Sequence, residues 1–71
     1  MLYSVLILYE KGRNKRGFME YEPESIYFGE DEAMMRVKFF DAVRKAANEP
    51  RAISVTVWGD LEELVRVRQG L

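Results

Sequence analysis

The chain has 71 residues, 11 Lys or Arg against 12 Asp or Glu for a net charge of −1, and neither cysteine nor histidine. That length makes one domain with a thin core, burying roughly 60% of its unfolded surface, and the missing residue types exclude disulfides and Cys/His metal centres. Hydrophobic residues at 48% and charged residues at 32% describe a folded chain, and the near-neutral balance points neither to nucleic acid nor to an anionic membrane.

The first segment, Leu2 to Tyr9, is rich in strand-favouring residues. Tyr3, Val5, Ile7 and Tyr9 make one face; Leu2, Leu6 and Leu8, with Ser4, make the other. Two apolar faces predict a strand in the middle of a sheet. The run is far shorter than the ~20 residues that span a bilayer. No positive segment precedes it, so neither a membrane span nor a signal peptide is expected, and a cytoplasmic location is.

EKGRNKRG, residues 10–17, follows with Gly12, Asn14 and Gly17, which tolerate positive φ and suit a hairpin connection. Phe18 to Glu22 reads as a second strand, which Pro23 either ends or places at a sheet edge. Ser25 to Phe28 is β-prone and reads either as a continuation of that strand or as a separate turn. From Glu30 to Asn48 the period becomes helical. Met35, Phe39, Phe40, Ala42, Val43, Ala46 and Ala47 fill one arc, broken by Arg36. Acids at 30–32 and bases at 44 and 45 suit the helix dipole, and Pro50 stops the helix.

Ala52 to Trp58 alternates as a half-buried strand, with Ile53, Val55 and Val57 predicted to face the helix. Gly59 and Asp60 mark a turn. In the tail, Asp60 and Glu63 have capping-box spacing, but Leu64 to Arg68 alternates, and a short terminal helix would have weak support; strand is the reading adopted. The predicted architecture is α+β in the order β-β-α-β-β, an antiparallel sheet of about four strands with one amphipathic helix on one face.

One helix covers one face only. The other would carry Leu2, Leu6 and Leu8 with Trp58 and Leu64, a patch larger than monomers usually leave in water. Either Tyr21, Ile26, Tyr27 and Phe28 fold across it as a lid, or it pairs with a second copy or another protein.

Several chemistries are poorly provided for. There is no histidine for proton transfer near neutrality and no cysteine nucleophile. None of Ser4, Ser25 and Ser54 lies in a G-x-S-x-G context, and GRNKRG lacks the spacing of a phosphate-binding loop. Alternating Glu20, Glu22 and Glu24 suit a solvated edge better than a metal or hydrolase site. No enzymatic activity, metal or cofactor is expected.

Charge is nonetheless polarised. EKGRNKRG carries Lys11, Arg13, Lys15 and Arg16 against one acid, whereas Gly17 to Met35 holds six acids and no base. The basic tip suits contact with nucleic-acid phosphates, although the loop holds no aromatic on which a base would stack. The acidic stretch suits a basic groove on a partner. Met34 and Val37 lie outside the apolar arc and are candidate contacts.

In size and element order, down to the terminal hairpin AISVTVWGDLEELVRVR, the chain resembles small phage and mobile-element accessory proteins, some anti-CRISPR inhibitors among them. The resemblance implies a protein that binds and blocks another protein. The function expected is a non-enzymatic protein-binding module using Trp58, Glu20, Glu22, Glu24, Met34 and Val37. The alternatives are nucleic-acid binding by Lys11, Arg13, Lys15 and Arg16, and a structural homodimer.

Overall fold

A computed structural model of the chain describes residues 1–69. Its elements are β1 (Tyr3–Arg13), β2 (Met19–Gly29), α1 (Glu32–Ala47), β3 (Ala52–Gly59) and β4 (Glu62–Arg68). The four strands form one antiparallel sheet in the order β2-β1-β3-β4. The fold is therefore α+β in β-β-α-β-β order, with β1 internal as its two apolar faces require.

The core follows from register. Val5 stands opposite Val57 and Tyr27, and Ile7 opposite Val55; opposed residues share a face. That face meets Met35, Ala42 and Ala46 of α1, with Phe39 and Val43 at its border. Val5, Ile7 and Val55 are fully buried, each contributing about 1.5–3 kcal/mol relative to exposure. The two alanines keep the helix surface thin, so α1 seats directly on the valine and isoleucine rows.

Local chemistry sets the ends of each element. The Asp31 carboxylate accepts the Met34 N–H at 3.0 Å and so caps the helix start. Asn48 closes the helix end, with Arg44 and Lys45 in the last turn. In the first hairpin the Asn14 side chain accepts from the N–H groups of Arg16 and Phe18, and Gly17 takes φ 84°. In the second, Asp60 adopts φ 54° between β3 and β4. Its carboxylate accepts the Leu2 N–H at 2.9 Å, while its own N–H donates to the Leu2 carbonyl. The chain start is thereby tied to the turn.

The structure settles the open readings and corrects several others. Ser25 to Phe28 continues β2, which passes through Pro23 because it is an edge strand. No lid forms: Ile26 and Tyr27 pack on the helix side, and Tyr21 and Phe28 remain exposed. The tail is a strand, not a helix.

Ile53 does not face the helix. The β1–β3 register shifts between Leu8 and Tyr9, which puts Ala52 in the core and leaves Ile53 beside Leu8 and Ser54. Leu64 sits on the helix side rather than the open side. It is the extra residue of a bulge that opposes Glu63 to Trp58 and Val65 to Val57, and its side chain lies over Gly59, where a Cβ would come within 2.7 Å of it. Phe40 and Ala47 lie outside the buried arc, Phe40 at 62% exposure. The face that α1 offers the sheet is narrower than its apolar arc.

Ile7→Ala should cost about 3 kcal/mol of unfolding free energy in urea, and Phe40→Ala less than about 1 kcal/mol. Equal costs at the two positions would contradict this packing.

Candidate functional site

The sheet face away from α1 is built by alternation, except that the register shift adds Ile53 beside Ser54. On β1 it carries Ser4, Leu6 and Leu8; on β3 it carries Ser54, Thr56 and Trp58. Ser4 stands between Phe28 and Trp58, Leu6 between Ser25 and Thr56, and Leu8 between Pro23 and Ser54. Arg66 lies opposite Thr56 and Arg68 opposite Ser54. None of the five elements covers this face: α1 packs on the other side of β1, β2 and β3. Leu6, Leu8 and Trp58 are half-buried, and Phe28 and Tyr21 at its β2 border are exposed.

Ser54 and Thr56 are buried here by their neighbours alone. Among the described residues no buried side-chain nitrogen or oxygen lacks a partner, so this polar pair imposes no desolvation defect. The face thus combines an apolar centre with hydroxyls beside it and guanidinium groups along one border. Glu63 holds Arg66 at 2.5 Å. Arg68 makes no ion pair among the described residues.

The second surface is an arm. β1 and β2 run on together beyond Tyr9, the last β1 residue that pairs with β3. Arg13 is held by donation to the Gly17 carbonyl at 2.7 Å. Lys11, Lys15 and Arg16 are exposed and unpaired among the described residues. Phe18, the first residue beyond the loop, is 67% exposed, so an aromatic does stand beside the bases. Its position just outside EKGRNKRG hid it from a reading confined to the loop.

The third place is a recess lined by Tyr9, Glu22, Pro23, Glu24, Lys45 and Glu49. The Tyr9 hydroxyl donates to Glu24 at 2.8 Å, and the Lys45 ammonium donates to both Glu24 oxygens at 2.9 and 3.0 Å. Burial first, then the bond to the Glu24 carboxylate, pushes the Tyr9 hydroxyl up to about 12. Lys45 first, then Tyr9, holds the Glu24 carboxyl below its ordinary value. The trio fastens the end of α1 to edge strand β2 across the Tyr9 ring. Both Glu24 carboxylate oxygens are engaged within it.

The six residues expected to bind a partner do not form one surface. Trp58 lies on the open sheet face. Glu24 points to the helix side, engaged with Tyr9 and Lys45, and Glu22 lines the same recess. Glu20 is exposed on the arm opposite Gly12. Met34 and Val37 are exposed on α1, across the sheet from Trp58. Leu6, Leu8 and Phe28 share the open face with Trp58, and only the strand register reveals that grouping. Among the described residues no group of three or more acidic side chains converges to hold a metal, and no helix is long and apolar enough to cross a membrane.

No protein-family model, curated protein or solved structure matches the chain.

The trio has two pH signatures of opposite sign. Glu24 is depressed when folded, so its contribution is present above its unfolded value and is lost as pH falls through the folded one. Tyr9 is raised when folded, so its contribution is full below about 10 and is lost as pH rises towards about 12. In a phenolate absorbance titration Tyr9→Phe should remove the most alkaline step. Persistence of that step in the variant would place it on another tyrosine.

Proposed function

We propose that the protein is a non-enzymatic binding module that docks another protein on its uncovered sheet face and acts by occupying that partner. The observation carrying this reading is Trp58 with Leu6 and Leu8, half-buried on a face that none of the five elements covers. Tryptophan set among aliphatics is a common anchor of protein interfaces, because it joins a large apolar area to a polar N–H. Phe28 and Tyr21 extend the patch along β2, and Arg66 and Arg68 border it along β4. The partner surface that fits has an apolar centre and carboxylates towards the β4 side.

Absence of histidine and cysteine supports a role without chemistry. The likeness in size and element order to small phage and mobile-element accessory proteins, anti-CRISPR inhibitors among them, supports an inhibitor that blocks its target by occupancy. The exposed acids Glu20 and Glu22 would orient the docked pair through charge.

A second reading rests on the arm. Exposed Phe18 beside Lys11, Lys15 and Arg16 is the pairing of a stacking ring with phosphate-directed cations. Acids Glu10 and Glu20 on the shaft of the same arm oppose it.

Pull-down from the native host lysate separates the two. Trp58→Ala should weaken capture of the partner protein roughly thirtyfold, the effect of losing about 2 kcal/mol, with the circular dichroism unchanged. Neutralising Lys11, Arg13, Lys15 and Arg16 together should leave capture intact. If only the arm variant loses its target, and nuclease treatment removes it from the wild type as well, the nucleic-acid reading replaces the first.

A further inference from the structure

The two edges of this sheet are not equivalent. The β2 edge contains Pro23, two register shifts against β1, and the like-charged Glu20, Glu22 and Glu24. Each of these blocks strand addition or repels a second copy. The β4 edge, Glu62–Arg68, has neither proline nor glycine, and its sequence EELVRVR is acidic at its start and basic at its end. Run antiparallel against itself, such a strand sets acid against base twice.

We propose that β4 pairs antiparallel with β4 of a second copy, joining two sheets into one of eight strands. The proposal rests on the β4 edge and not on Trp58 or the apolar centre of the open face; it shares only the Arg66 guanidinium with the partner-docking reading above.

Register is decided by which face each residue occupies. Glu62 is opposite Gly59, Val65 opposite Val57 and Val67 opposite Val55, so these three lie on the helix side, and Leu64 joins them through the bulge. Glu63, Arg66 and Arg68 lie on the open side, opposite Trp58, Thr56 and Ser54. Directly opposed residues must share a face. A two-fold axis between Leu64 and Val65 meets that condition along the strand: 62 meets 67, 63 meets 66, and 64 meets 65. An edge bulge disturbs pairing with a straight strand, but the two-fold sets bulge against bulge, which keeps the strands congruent.

In this register each Glu63 carboxylate faces the Arg66 guanidinium of the second copy, twice by symmetry. In the monomer Glu63 holds its own Arg66, so the pairs exchange partners across the axis and no new charge is buried. Leu64 and Val65 of each copy meet on the helix side, where the monomer leaves them 48% and 41% exposed. Phe40 adds to the same border. Lys45 reaches Glu24 on β2, and Phe40 lies about 140° around the helix from it, on the flank turned towards β4. A seven-residue strand offers a short contact, so the association expected is reversible and dependent on concentration.

Sedimentation equilibrium tests it. The wild type should move from 8.3 kDa towards twice that mass as concentration rises. Arg66→Glu or Glu63→Arg alone should weaken association about tenfold or more, since each reverses two symmetric pairs. An equal mixture of the two variants should recover it, because the mixed dimer has both pairs intact. Amide hydrogen exchange across 62–68 should slow with concentration. A strict monomer at about 1 mM would overturn the proposal. So would a dimer indifferent to both reversals but lost in Trp58→Ala, which would place the contact on the open face. Thermal unfolding of each variant at low concentration checks that the monomer fold survives.

Discussion

The seating of α1 on the valine and isoleucine rows governs the rest of this structure. Ala42 and Ala46 bring the helix axis close to Val5, Ile7, Val55 and Val57, and Met35 fills the gap beside them. A helix about 10 Å wide laid so directly on a sheet whose strands are about 4.8 Å apart covers two to three strands. It packs on β1, β2 and β3. The Glu24–Lys45 pair and the Tyr9 hydroxyl draw its end towards β2. The far face of the sheet is uncovered because there is one helix, and the helix side of β4 is uncovered because of that offset.

Those two uncovered regions differ in kind. The far face is broad and apolar at its centre, with the buried residues Ser54 and Thr56 beside it and guanidinium groups at its border. It suits a partner surface. The β4 edge is narrow, with main-chain groups unpaired on its outer side and a charge order that complements itself. It suits a second copy. Both can be occupied at once, since a two-fold through β4 would place the two far faces side by side; Arg66 is common to the two contacts, and Arg68 is left at the border of the far face. The β2 edge meanwhile carries proline and like charges, so growth of the sheet beyond two copies is blocked.

Much of the fold was legible in the sequence. The two apolar faces of residues 2–9 identified an internal strand, and the capped 3.6-residue period located the helix to within two residues at each end. What escaped were the consequences of single-residue irregularities. A shift at Leu8 and Tyr9 reverses Ile53, and an extra residue at Leu64 moves it to the other face. Strand alternation has period two, so one inserted residue flips a side chain, and nothing in the composition of AISV or EELV announces the insertion. Pro23 was ambiguous for a different reason. Proline is compatible both with the end of a strand and with an outer edge, and only the pairing order decides. Within the candidate site Trp58 was identifiable as an aromatic on the face the helix leaves open, but Phe28 and Leu6, which share that face, come from register with two other strands. Glu24 read as a free acid because its partners, Tyr9 and Lys45, are 15 and 21 residues away.

The central claim is that the uncovered sheet face is where another protein docks. Trp58 is the sole tryptophan of the chain, so its fluorescence reports on that face alone when the partner signal is subtracted. Acrylamide quenching of Trp58, measured before and after addition of the captured partner, tests the claim most directly. The account predicts that quenching falls sharply in the complex as the indole leaves solvent. Quenching unchanged in a complex that demonstrably forms would place the contact elsewhere and contradict it.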